Sequence, residues 1–213
     1  MNKIKEENIS SLKKFGGLCG ITGTVLYILT NFLPLGHISL YALAMLWPLL
    51  SIIFVYSIYS FLSYEKQSAA NRIAFLFAVL GFTLVACMIS VQLAVRWGIE
   101  ENISASPESK QLYSVILGSV RLVDHGIDVA WDLFIGTSLI FLSVALSGNS
   151  NFGKLWGIPS AVLGILLIIL NVLTFPWPPD SRGLFDAGPL IGVYIIILSV
   201  KLISVKNKEL VIS

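Results

Sequence analysis

Charge is what this sequence has least of. Of its 213 residues 12% are Asp, Glu, Lys or Arg, against 56% apolar, whereas soluble domains carry about 25% charged residues. An ordinary soluble domain is excluded. The net charge of +2 is too small to call for a polyanion, and no basic, aromatic-studded patch stands outside the apolar runs, so nucleic acid is excluded as a partner. Cysteine is nearly absent. Cys19 and Cys87 both fall inside apolar runs, which excludes a disulfide framework and leaves them as small packing residues. Two histidines, His37 and His125, with no HExxH pattern, count against a standard intramembrane metalloprotease. No GxSxG elbow is present either, and Ser90, Ser114 and Ser119 read as helix-packing hydroxyls. Strand-like alternation broken by turns is missing, which excludes a transmembrane barrel.

What fills the chain instead is apolar blocks of about 20 residues, each long enough to cross about 30 Å of hydrocarbon as a helix, with a mean hydropathy of +0.85. The expected fold is all-α: a single integral membrane domain over 1–213, a bundle of six transmembrane helices at 15–33, 38–63, 72–97, 113–146, 155–175 and 189–205. The first run lacks a small-residue cleavage site and reads as a retained span. Pro48 inside the second span removes a backbone donor and predicts a kink. The stretch 98–111, with no apolar period and with Pro107, reads as an extramembrane loop, and the proline-stiffened 176–188 as another. Trp97, Trp156 and Trp177 fall near span ends and read as an aromatic belt.

Lys and Arg are shared unequally between the two sets of loops. Lys3, Lys5, Lys13, Lys14, Lys66, Arg72, Lys154, Lys201, Lys206 and Lys208 fall on one side, and Lys110 and Arg182 on the other, with Arg96 at its border. Basic residues collect in the cytoplasm, so both termini are expected there.

The fourth block carries the chemistry. Within RLVDHGIDVAWD, Asp124, His125, Asp128 and Asp132 fall at about 300°, 40°, 340° and 20° around a helix from Arg121. Ionisable groups at membrane depth must pair, line water or serve function. Gln92 and Arg96 share a face of the third span, and Asn31, His37, Asn171, Asp180, Arg182 and Asp186 belong to the same half of the bundle. Together they predict an outward-facing polar pocket. Arg96 and Arg121 against three aspartates leave one positive charge to be supplied by His125, by a proton or by a bound cation. Asp132, the deepest, is the strongest candidate for a proton- or cation-binding carboxylate. His125 with Asp128 is a metal half-site by residue type, since imidazole and carboxylate on one face can both point at a cation. The sequence leaves the cofactor unknown; a haem held by His37 and His125 is geometrically possible but is not the preferred reading.

One internal similarity stands out: FGGLCGITGTVLYIL from Phe15 and FGKLWGIPSAVLGIL from Phe152 agree at nine of fifteen positions. It reads either as coincidence of apolar composition or as a duplicated packing element built on Gly16 and Gly20, Gly153 and Gly157. The run WDLFIGTSLIFLSVAL followed by FGKLWGIPSAVLGILLIIL resembles the later spans of a family of uncharacterised bacterial multi-span membrane proteins known as a domain of unknown function. That resemblance implies a helical bundle in a bacterial inner membrane and transfers no catalytic or ligand residue.

The reading is a membrane protein, with the lipid bilayer as its partner, that binds a small polar ligand or cation in an outward-facing pocket, as a transporter or a sensor. The ligand- or proton-binding residues are Arg121, Asp124, His125, Asp128, Asp132, Arg96 and Gln92. Two alternatives stand beside it: an intramembrane metal-assisted hydrolase using His125 and Asp128, and a structural or regulatory subunit whose charges specify packing. The half of the fourth span beyond Asp132 offers no ionisable residue, which favours binding or sensing over a through-pathway.

Overall fold

The computed structural model describes residues 2–103 and 107–205, with side chains from 7 to 99 and from 111 to 205. Six α-helices follow one another: α1 (Asn2–Thr30), α2 (His37–Glu65), α3 (Ala69–Ile103), α4 (Pro107–Ser147), α5 (Lys154–Thr174) and α6 (Gly188–Ser204), with one 3-10 turn at Pro179–Arg182 and no strand among the described residues. The first five are long and apolar enough to cross a membrane, and α6, with 17 residues, is a shorter apolar helix. The protein is a multi-pass helical membrane bundle.

Its outer surface is apolar as well as its core. On α5 the exposed positions Leu155, Ile158, Val162, Ile165, Ile169 and Leu173 recur every three or four residues, while the opposite face buries Gly157, Ser160, Gly164 and Asn171. On α6, Leu190, Val193, Ile197 and Val200 are exposed and Ser199 is buried. Apolar residues outside and small or polar residues within are what a lipid solvent selects, because lipid gives helices no hydrophobic reason to associate.

Close backbone approach and hydroxyl bonds hold the helices instead. A Cβ on Gly136 or Gly164 would lie 2.8 and 2.5 Å from the other's carbonyl oxygen, so α4 and α5 touch backbone to backbone there. Gly16 and Gly20 of α1 abut the side chains of Ser57 of α2 and Ser199 of α6. Ser57 donates to the Leu12 carbonyl, Ser138 to Ala74 and Ser160 to Leu139, each at 2.8 Å, joining α2 to α1, α4 to α3 and α5 to α4. Helices adjacent in sequence pack side by side from α1 to α5, and α6 returns to α1. The gap between α5 and α6 is crossed by Tyr194, whose hydroxyl donates to the Trp156 carbonyl at 2.9 Å. The repeated segments diverge in detail. Gly157, like Gly20, faces a neighbouring serine, Ser147, but Gly153 stands at φ 70° before α5 with open space around it, unlike Gly16.

One end of the bundle gathers Lys13, Lys14, Lys66, Arg72, Lys154 and Lys201, as the alternation of helix directions requires; Lys206, Lys208 and the side chains of Lys3, Lys5 and Lys110 lie outside the described residues. Lys13 is buried, donates to the Val205 carbonyl at the end of α6 and lies 5.8 Å over the Phe61 ring. A cation is well placed at a helix C-terminus. Glu65, at the end of α2, accepts from Asn149 at 2.7 Å, from Ser150 at 3.4 Å and from Asn151, tying the α4–α5 turn to the α2–α3 turn.

At the opposite end the expected loop at 98–111 is corrected. Helix α3 continues to Ile103 and α4 begins at Pro107, leaving 104–106 outside the described residues. Lack of an apolar period rules out a buried face, not a helix, and proline at the first helical position is favourable. With 35 and 41 residues, α3 and α4 run about 52 and 61 Å, well beyond the hydrocarbon thickness of about 30 Å.

Candidate functional site

The polar face of α4 does not look into one pocket. It fans over roughly 100°, and each sector meets a different neighbour. Asp124, on the side toward α3, accepts from Gln92 Nε2 at 2.8 Å. Gln92, Arg96, Arg121 and Asp124 line a groove of about 380 Å³ between α3 and α4. Arg121 is exposed, and Gln92, not Arg121, is the partner the Asp124 carboxylate takes. On the opposite side, Asp132 is 3% exposed and lies near Asn171 of α5. The Asn171 amide donates to the Leu167 carbonyl at 2.9 Å. One oxygen of Asp132, one of Asp124 and Oδ1 of Asn171 are buried without a donor.

Asp128, in the middle sector, enters a cleft of about 540 Å³ between α1, α2, α3, α4 and the start of α6. That volume is of the size that small-molecule sites occupy. Asp186, from the α5–α6 connection, shares the cleft, held by an Oδ1 contact with the Gly188 N–H at 2.8 Å. Tyr27, Trp47 and Trp131 wall it. Tyr27 stacks on Trp47 with centroids 4.2 Å apart, and Trp47 meets Trp131 edge-on at 6.2 Å. Thr24 Oγ1, Trp47 Nε1 and Trp131 Nε1 are buried and without a hydrogen-bond partner, although all three residues line the cleft. Asn31 stands at its mouth; its amide contacts carbonyls of its own helix, Tyr27 at 3.2 Å among them.

The cleft has a floor. Beyond Trp47 and Trp131, toward the lysine end, Phe54, Phe82, Ile135, Leu139, Ile195 and Leu198 surround a residual cavity of only about 40 Å³. Polar side chains with room for water are what a hydrated cavity needs, and this layer is almost wholly apolar.

Both histidines are occupied by rings. His37 stacks on Trp97 at 4.8 Å and 7°, and His125 lies 5.9 Å from Trp177, itself beneath the Arg182 guanidinium at 5.6 Å. No group of three or more His, Cys, Asp and Glu that could hold a metal ion occurs among the described residues, so His125 and Asp128 find no third ligand there. Ser90, Ser114 and Ser119 donate to carbonyls of their own helices, Ala86, Gln111 and Val115, at 2.9, 2.8 and 3.2 Å.

Three cleft residues escape a reading of charge alone. Tyr27 and Thr24 lie in an otherwise apolar span, and Trp47 reads first as a neighbour of the helix-breaking Pro48. Their signal is spacing: Thr24 and Tyr27 are three apart, one helical face. Searches against protein families, curated proteins and solved structures found no match for this chain.

Proposed function

We propose that the protein is a membrane receptor-like binder that takes a small polar ligand or cation into the cleft of Asp128 and Asp186 from the outer side of the membrane, both termini being cytoplasmic. The observation that carries this is the placing of two carboxylates, Asp128 and Asp186, beside aromatic side chains in one cleft of about 540 Å³. The skew of Lys and Arg supports the orientation, and the bacterial resemblance of the later spans supports an inner membrane. The apolar floor below Trp47 and Trp131 favours binding or sensing over transport.

The packing alternative has one observation in its favour: the Asp124–Gln92 hydrogen bond joins α4 to α3. The hydrolase alternative gains nothing comparable. The test is accessibility. In a background with Cys19 and Cys87 replaced by serine, Asn31→Cys is expected to react with a membrane-impermeant thiol reagent in right-side-out vesicles and to resist it in inverted ones. The reverse pattern, or resistance in both, overturns the outward cleft.

A further inference from the structure

Resting on the cleft reading above, we propose that its ligand is an organic ammonium: a cationic nitrogen on an aromatic or apolar body. The sign of the charge follows from the lining. Asp128 and Asp186 face the same space, and no Lys, Arg or His lines it among the described residues. The charged groups that bear most on Asp128 are Asp186, Asp124 and Asp180, carboxylates all. Two carboxylates in a cleft without a cation favour a ligand that brings the compensating charge.

The walls exclude a bare inorganic cation as the best fit. Hard cations select a shell of oxygen ligands, whereas Tyr27, Trp47 and Trp131 offer ring faces and edges, and Met88 and Val85 offer apolar surface. Aromatic rings beside carboxylates are the surroundings that bind alkylated ammonium groups, through attraction to the ring quadrupole.

Isothermal titration calorimetry of the purified full chain in detergent tests this with two probes alike in size and aromatic body, 4-(2-aminoethyl)phenol and its neutral counterpart 4-(2-hydroxyethyl)phenol. The amine is expected to bind saturably, the alcohol at least tenfold more weakly. Asp186→Asn, at an exposed position where the amide oxygen keeps the Gly188 contact, and Asp128→Asn should each weaken the amine at least tenfold. Equal binding of amine and alcohol, no binding of the amine, or saturable binding of potassium chloride that the amine does not displace would each overturn the ammonium assignment. Any of these beside a reactive Asn31→Cys leaves the outward cleft standing, whereas an unreactive Asn31→Cys removes the cleft itself.

Discussion

Gly164→Ala is the smallest change that should open this bundle. Its new Cβ would sit 2.5 Å from the Gly136 carbonyl oxygen, where ordinary contact begins at 3.4 Å, so α4 and α5 must part by about 0.9 Å. Overpacking of this kind costs about 1–3 kcal/mol. Ser160, one turn away, would lose its 2.8 Å bond to the Leu139 carbonyl, a further cost of about 0.5–1.5 kcal/mol. The expected total is about 1.5–4.5 kcal/mol, and Asp132, one turn from Gly136, would be drawn away from Asn171. Gly126→Ala is the matched control on α4: its Cβ meets nothing within 4 Å, so helix propensity alone acts and should stabilise by about 0.8–1 kcal/mol. Titration of both purified variants with sodium dodecyl sulfate in mixed micelles, followed by loss of helical circular dichroism, reads the two signs. A Gly164→Ala protein as resistant as the parent, or both variants shifting the same way, would refute the backbone contact.

Further outcomes follow from the two ends and the middle of the molecule. Lys13→Met should cost about 1.5–3 kcal/mol, the worth of a hydrogen bond from a charged group, and should hasten proteolysis near Val205, where its partner carbonyl lies. Glu65→Gln, at an exposed position holding Asn149, Ser150 and Asn151, should cost about 1 kcal/mol, seen as faster cleavage in the 148–153 turn. Asp132→Asn, at a buried position outside the cleft lining, should melt within a few degrees of the parent; a variant that does not fold would assign the Asp132 carboxylate to packing. His125→Ala should leave the metal content of the purified protein unchanged, because the ring faces Trp177; stoichiometric zinc lost on that change would revive the hydrolase.

Much of the architecture was legible in composition. Long apolar blocks can satisfy backbone polar groups in lipid as helices, and five of the six expected spans correspond to helices able to cross. The polar arc of α4 was legible too, because its angles depend on one helix alone. What it would meet was not. Asp124, Asp128 and Asp132 differ by tens of degrees, and only the placement of α3, α1 and α5 around α4 turns those degrees into a groove, a cleft and a helix contact. The 98–111 stretch misled for a related reason: a projecting helix needs no apolar stripe. Tyr27 and Thr24 were silent because a tyrosine or threonine in an apolar span most often packs. Asp186 was visible as a loop carboxylate, but its proximity to Asp128 depends on how the α5–α6 connection folds back.

The most direct test of the sheltered polar face is a spin-label scan of α4 from Arg121 to Ser138 in bilayers, comparing collisions with oxygen, which concentrates in lipid, and with a water-soluble nickel chelate. Chelate contact should peak at positions 124 and 128, and oxygen contact at 123, the site of the exposed Val123. Oxygen contact peaking at 124, 128 and 132 would turn that face to the acyl chains and contradict the cleft.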